Sequence, residues 1–223
     1  DEFSLQSHLN AAKAWTQGFY EGDVQTISLA PFTKFIEKDD GPRGDSSMES
    51  MAKLKPSFDK KNGQITAGNS SFLTDGGSAV LLMEKERALQ LGHKPQAYIR
   101  DYLTRGTEPM DDLLLGPAFV ITDLLKRNGL TLKDIGVWEI HEAFASQMVA
   151  NLKVMNSKKL SNDILGMNAI GEIPMDKLKN YGGSLALGHP FGATGARLVM
   201  TAAKRLMREQ TRYAIVSGCA AGG

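Results

Sequence analysis

Two histidines and one thiol, each in a turn of unusual composition, are the residues of this 223-residue chain best suited to chemistry. His141 stands in Ile140-His141-Glu142-Ala143-Phe144, where an apolar strand pattern hands over to a helical one. Side chains at such a junction project from the sheet edge beside free backbone N–H groups, so His141 suits a hydrogen-bond donor or a holder of water in a pocket. A histidine that merely caps the helix fits the same place equally well. The helical zinc pattern needs a second histidine four residues on, and that position is Ala145, so a metal site is not expected.

The second turn runs Tyr181-Gly182-Gly183-Ser184-Leu185-Ala186-Leu187-Gly188-His189-Pro190-Phe191-Gly192-Ala193-Thr194-Gly195-Ala196-Arg197, with five glycines around one histidine. So many glycines are costly in chain entropy unless backbone must come close to something. A phosphate cradle would end in Lys-Ser or Lys-Thr, and a dinucleotide fingerprint has a different glycine spacing. His189, pinned between Gly188 and Pro190 ahead of a helix N-terminus that disfavours its charged form, suits a neutral imidazole base; a structural turn is the competing reading.

The third is Ser217-Gly218-Cys219-Ala220-Ala221-Gly222-Gly223, with the only thiol of the chain after a strand-like run. A lone buried cysteine is commonly a small hydrophobe. Flanking Gly and Ala are too small to build a core and suit a tight turn with exposed donors, and with a histidine in the same fold a thiol becomes a nucleophile or proton shuttle.

Composition narrows the setting. Lys and Arg number 26 against 25 Asp and Glu, a net charge of +1, and 42% of residues are hydrophobic. That supports one or two globular domains with a sizeable core. It leaves no excess positive field for nucleic acid or an anionic lipid surface, and the apolar runs are too short for a membrane span. A single cysteine fits a reducing compartment. The start at Asp1 without an initiator Met and the Gly222-Gly223 end after a strand-like run read as a piece of a longer polypeptide.

The elements that must hold these turns follow from periodicity. Residues 1–22 carry Phe3, Leu5, Leu9, Ala12 and Trp15 at helical spacing, Val24–Leu29 is a short extended run, and 31–62 is a charged surface loop with one short helix. Gln64–Ala67 reads as a strand, and Ala79–Met83 as a buried strand feeding a helix over Glu84–Leu91. Gln96–Leu103 reads as a strand, and Pro117–Asn128 as a helix with Phe119, Leu124 and Leu125 inward and Gly129 at its stop. Val137–Ile140 is a strand, Glu142–Met155 a helix with Phe144, Met148, Leu152 and Met155 on one face, Gly195–Arg208 a helix, and Tyr213–Ser217 the last strand. Alternating strands and helices predict an α/β layered fold with a mixed or parallel sheet.

Taken together the turns resemble those of the thiolases. The family carries Asn/His-Glu-Ala-Phe, then Gly-Gly-x-x-Ala-x-Gly-His-Pro-x-Gly-Ala-Thr/Ser-Gly-x-Arg, then Cys-x-Gly-Gly-Gly, and this chain is similar in that order at His141, Gly182–Arg197 and Cys219. Upstream, Asn69-Ser70-Ser71-Phe72-Leu73-Thr74-Asp75-Gly76 looks like the family's Asn-x-Ser-x-x-x-Asp-Gly segment, and Asp1-Glu2-Phe3 with Ser7-His8 looks like the helix of its loop region. His141 stands where many members have Asn, and Ala221 where the commoner motif has Gly. His141, Gly-His-Pro-Phe-Gly-Ala-Thr-Gly and the Cys-Ala-Ala-Gly-Gly ending look most like the fatty-acid-oxidation branch.

The resemblance implies a thiolase-like layered fold made of a loop region (residues 1–70), the closing strand and helix of an N-terminal half (71–92) and a C-terminal thiolase domain (93–223). It implies thiolytic cleavage of a 3-ketoacyl-CoA to acetyl-CoA and a shortened acyl-CoA in β-oxidation, with CoA as substrate and no bound cofactor. In that scheme the acylated cysteine belongs to a preceding half, so this chain alone is expected to be inactive. His189 accepts that cysteine's proton, and Cys219 passes a proton to and from the leaving acetyl carbon and the incoming thiol. His141 and His189 hold the enolate oxygen, and the Ala221 N–H serves a second oxyanion hole. Ser71 and, more weakly, Ser70 meet the pantetheine arm, and Phe144 lines the acyl slot or simply packs in the core. The implied partners are a second copy of the chain, as a homodimer, and a hydratase/dehydrogenase α-subunit. The implied location is the mitochondrial matrix or inner-membrane surface, with peroxisome and bacterial cytoplasm as alternatives. A ketoacyl-synthase-like condensing enzyme and a noncatalytic scaffold half remain the competing functions.

Overall fold

The computed structural model describes residues 1–218. In chain order its helices are α1 (Glu2–Thr16), α2 (Met48–Met51), α3 (Lys85–Gln90), α4 (Gly116–Asn128), α5 (Ala145–Asn156), α6 (Lys158–Leu160), α7 (Ser184–Leu187) and α8 (Gly192–Arg208). The strands are β1 (Ile27–Leu29), β2 (Lys34–Ile36), β3 (Ile135–Ile140) and β4 (Tyr213–Ser217). The chain divides into two compact units. One comprises Asp1–Thr74, Glu142–Ser146 and Lys179–His189; the other comprises Asp75–His141, Gln147–Leu178 and the residues from Pro190 onward.

In the first unit α1 packs on α7. The buried face of α1 is Ser4, Ser7, His8, Ala11 and Ala14, while Leu9 is exposed. Short side chains win this face because backbone lies directly against it. A Cβ built on Gly182 would sit 2.4 Å from that of Ala11, and Gly182 itself has φ +85. Ala11, Ala14, Phe19, Tyr20, Ala186 and Leu187 form the core, with Phe19 stacked on Tyr181 at 3.6 Å. β1 and β2 form an antiparallel hairpin.

The second unit is built on β3 and β4, a parallel pair in the register Trp138↔Ile215 and Ile140↔Ser217, with α8 against both strands and α4 against β4. Parallel neighbours need a crossover, and the long connection between them carries the intervening helices. β3 is almost wholly buried, as its apolar run requires. α4 buries Ala118, Phe119, Ile121, Thr122 and Leu125 and stops at Gly129 in the left-handed region, while Leu124 is half-buried. No helix of the described residues is long and apolar enough to cross a membrane.

Several expected elements differ: α8 starts three residues early, at Gly192, and β2 lies within the expected 31–62 loop. Ala79–Met83, the expected closing strand of residues 71–92, is neither paired nor buried: Leu81 is 74% and Leu82 63% exposed. Gln96–Leu103 is likewise outside any ladder, with Tyr98, Ile99 and Tyr102 exposed. A strand exists only where another backbone takes its N–H and C=O groups, and among the described residues none pairs with either run. Gln64–Ala67 contributes one isolated bridge, Pro56↔Thr66, before the chain turns into a 3₁₀ turn at Ala67–Asn69. α5 begins at Ala145 rather than at Glu142, because the backbone of Ala143 and Phe144 pairs with Ser71 and Ser70.

Candidate active site

The His-Glu-Ala-Phe motif straddles the two units. His141, 2% exposed, directly follows β3, and its N–H donates to Ser217 O at 2.7 Å, extending the parallel ladder by one bond. From Glu142 the chain belongs to the first unit, where Phe144 forms an antiparallel bridge with Ser70 and the Ser71 N–H donates to Ala143 O at 2.9 Å. These pairings engage the backbone of Ala143, which is at a bend, and of Phe144, and so delay the start of α5 to Ala145. Phe144 is therefore off the helix, half-buried, with its ring edge-on to exposed Phe58 at 6.4 Å. The expected common helical face with Met148 does not include it; Met148 and Met155 are buried without it.

Ser70 and Ser71 are set by a self-contained turn. Thr66 Oγ1 accepts from Gly68 N at 3.1 Å, and Asn69 Oδ1 accepts from Thr66 N at 2.8 Å, a reciprocal cap. Asn69 Nδ2 donates to Asp1 Oδ1 and Gln64 O, which buries its side chain and ties the turn to the start of α1. Ser70 Oγ donates to Thr66 O at 2.7 Å. Three of the sequence-predicted residues, Ser70, Ser71 and Phe144, are thus brought together.

His189 belongs to the same unit. It follows α7 after Gly188 and is half-buried. His141 lies in the other unit, and Cys219 and Ala221 fall outside the described residues.

Sequence reasoning missed a buried charge pair in the first unit. Glu142 Oε1 lies 3.4 Å from Lys179 Nζ, with side chains 1% and 3% exposed. Glu142 Oε2 accepts from Ser7 Oγ at 2.9 Å and from Leu185 N at 3.1 Å. Ser7 Oγ in turn accepts from Gly183 N at 3.0 Å. The flanks of Glu142, His141 and a half-buried Ala143, gave no signal that its carboxylate would be buried and paired. Nothing in the flanks of Lys179 distinguishes it.

A parallel strand pair covered by helices, with a motif loop at the end of a strand, defines an α/β layered protein, and comparison with known proteins gives the family. The thiolase N-terminal domain matches residues 1–86 and the thiolase C-terminal domain residues 93–223. The chain belongs to the thiolase family. It is 50% identical over 224 residues to the mitochondrial trifunctional enzyme subunit beta of Bos taurus, covering 100% of this chain and 46% of that protein. A probable 3-ketoacyl-CoA thiolase of Caenorhabditis elegans is 48% identical, with 100% and 50% covered. The crystal structure of the Bacillus anthracis acetyl-CoA acetyltransferase superposes with a TM-score of 0.85 at 34% identity, covering 100% of this chain and 52% of that one. The chain thus spans about half the length of the curated relatives it matches.

Proposed function

We propose that this chain supplies part of a 3-ketoacyl-CoA thiolase of fatty-acid β-oxidation. The observation that carries the reading is the joining, inside one compact unit, of Ser70–Ser71, Phe144 and the part of the Gly-rich turn that runs from Tyr181 to His189. The names of the relatives at about half identity support the substrate class.

In this reading a cysteine outside the chain attacks the 3-keto carbon of the substrate and passes its proton to His189. The bond between the second and third acyl carbons breaks, the enolate of acetyl-CoA leaves, and Cys219 protonates it. Cys219, now a thiolate, takes the proton of an incoming CoA thiol, whose sulfur attacks the acyl-cysteine; the bond to the cysteine sulfur breaks, that cysteine recovers its proton from His189, and the shortened acyl-CoA is released. His141 and His189 hold the enolate oxygen, and the Ala221 N–H serves the acyl oxyanion; one such donor is worth on the order of 3 kcal/mol. Ser71 and Ser70 meet the pantetheine arm, and Phe144 with Phe58 forms an apolar wall for the acyl chain. Coenzyme A enters as substrate, and the chemistry needs no metal.

The division at residues 70 and 92, a homodimer, a hydratase/dehydrogenase α-subunit as partner and a place in the mitochondrial matrix or on its inner membrane belong to the same proposal. The partner and the mitochondrial place are supported by the likeness to the mitochondrial subunit beta, and the boundary at 92 by the change of family domain between residues 86 and 93. The test is thiolysis of a 3-ketoacyl-CoA by the full-length gene product, followed as acetyl-CoA formed. A product that binds CoA but releases no acetyl-CoA is a scaffold, and the reading falls.

A further inference from the structure

The chemistry proposed above uses neither Glu142 nor Lys179, yet both are buried charges beside segments that carry it. Burying an ion pair adds little stability that apolar side chains of the same volume would not supply. Lys179 is also held at φ 52, a region unfavourable for a residue with a β-carbon. Two costs at one place, with no stability to show for them, point to a geometric role.

The contacts say what is being held. Glu142 Oε2 takes the Leu185 N–H at 3.1 Å, Ser7 Oγ takes the Gly183 N–H at 3.0 Å, and Asn10 Nδ2 donates to Lys179 O at 3.3 Å. All three, and the ion pair itself, grip the segment Lys179–His189. From Gly183 onward that segment is one closed turn, with Leu187 N donating to Gly183 O at 2.8 Å and Gly188 N to Ser184 O at 2.9 Å. It ends in His189. A short rigid turn held at its base transmits any tilt of that base to its far end. On the other side of Glu142, Ala143 O and Phe144 are joined to Ser71 and Ser70. Glu142 therefore links the His189 turn to the strand-like pairing expected to take the pantetheine arm. Gly183 must be glycine for the pair to close, since a Cβ there would lie 2.1 Å from Lys179 Nζ and 2.2 Å from Glu142 Oε2.

We propose that Glu142 and Lys179 are positioning residues for His189: their ion pair, with Ser7, fixes the Lys179–His189 turn on Ala143–Phe144 and thereby aims the imidazole. The proposal rests on the thiolase reading, and its test separates the two.

The variants are Glu142→Gln and Ser7→Ala in the full-length protein. Ser7→Ala removes one hydroxyl and no charge, so it carries the test where Glu142→Gln does not fold. Misplacing a catalytic group by about 1 Å costs about 10²-fold. The expected result is a kcat for thiolysis lowered by about 10- to 100-fold in Glu142→Gln, and by less in Ser7→Ala, with KM for CoA within about threefold. The second readout needs no activity: the rate of His189 carbethoxylation by diethyl pyrocarbonate, followed by peptide mass spectrometry, should change severalfold, while that of exposed His93 stays constant. If the wild-type protein performs no thiolysis, the proposed function fails and the His189 rate alone decides the positioning role. Folded variants with wild-type kcat, a rise confined to KM, or an unchanged His189 rate would each overturn it.

Discussion

Arg205 Nη1 lies 2.7 Å from Glu139 Oε1, with the two side chains 0% and 1% exposed, so a full charge pair sits beneath the parallel strands of the second unit. Arg205 projects from the buried face of α8, and its guanidinium also reaches Lys177 O at 3.0 Å and Glu209. The pair therefore ties α8 to β3 and to the chain just after the Ile173–Met175 stretch. Breaking a buried pair leaves one charge without its partner, which costs about 3–5 kcal/mol. Arg205→Met should lower the melting temperature by on the order of 10 °C. Adding Glu139→Leu should recover most of that loss, because the stranded carboxylate goes with its partner. Calorimetry of the two variants checks both statements; a single variant that melts with the wild type would refute the first.

How much of this was legible in the sequence depends on what each residue needs. β3 and β4 were legible because runs such as Ile135–Ile140 and Tyr213–Ser217 are apolar on both faces, and Gly129 marked the end of α4 through its left-handed backbone. Ala79–Met83 and Gln96–Leu103 carry the same strand signal and form no strand, since apolar pattern records a capacity to pair and not the partner. The glycines at 182 and 183 were read as room for something to approach. Within their unit that room is filled by Ala11 and by the Lys179–Glu142 pair. Side-chain pairs between distant segments leave no periodicity, so the Glu139 pair could be suspected only from its apolar flanks, Trp138 and Ile140, and the Glu142 pair not at all.

His8 gives the first unit a pH dependence. It is buried on α1, and its Nδ1 accepts from the Arg43 N–H at 3.3 Å, which requires the lone pair of a neutral ring. Burial first, and then the Arg43 charge, hold its pKa below the ordinary value. The sign follows directly. Above the unfolded pKa of about 6.5 the ring is neutral in both states and contributes nothing. As pH falls through that value the unfolded chain takes up the proton first, and stability is lost until the folded pKa is passed. Melting temperatures between about pH 7.5 and 5.5 should fall more steeply for the wild type than for His8→Asn, whose amide oxygen can still accept from Arg43. Parallel curves would show that His8 is protonated in the fold.

Adjacent glycines should respond differently to alanine. At Gly182 the added Cβ meets the Ala11 backbone at 2.8 Å, and φ is +85, so both crowding and torsion oppose it. At Gly183 φ is −136, which any residue adopts, and the obstruction is the movable ends of Lys179 and Glu142. Overpacking costs about 1–3 kcal/mol, and a left-handed backbone adds about 1–2 kcal/mol. Gly182→Ala should therefore be the more destabilising. Gly183→Ala should keep more stability while losing activity through the displaced ion pair. Equal losses in melting temperature would mean that α1 yields at Ala11 more easily than its buried face suggests.

Cys219 is the residue whose role the chemistry defines most narrowly. In the proposed reaction it moves a proton and never carries the acyl group, whereas the acylated cysteine lies outside this chain. Replacing Cys219 with Ser preserves shape and hydrogen bonding but supplies a far weaker acid. Acyl-enzyme should then still form from an acyl thioester, while steady-state thiolysis drops by about 10²–10⁴-fold, the range that proton-transfer catalysis contributes. Intact mass of the full-length protein after mixing with substrate reports the first quantity, and acetyl-CoA release the second. A twofold change in turnover would make the thiol a bystander. An acyl group found on Cys219 itself in the unmodified protein, with no other residue labelled, would make this thiol the nucleophile and reverse the assignment.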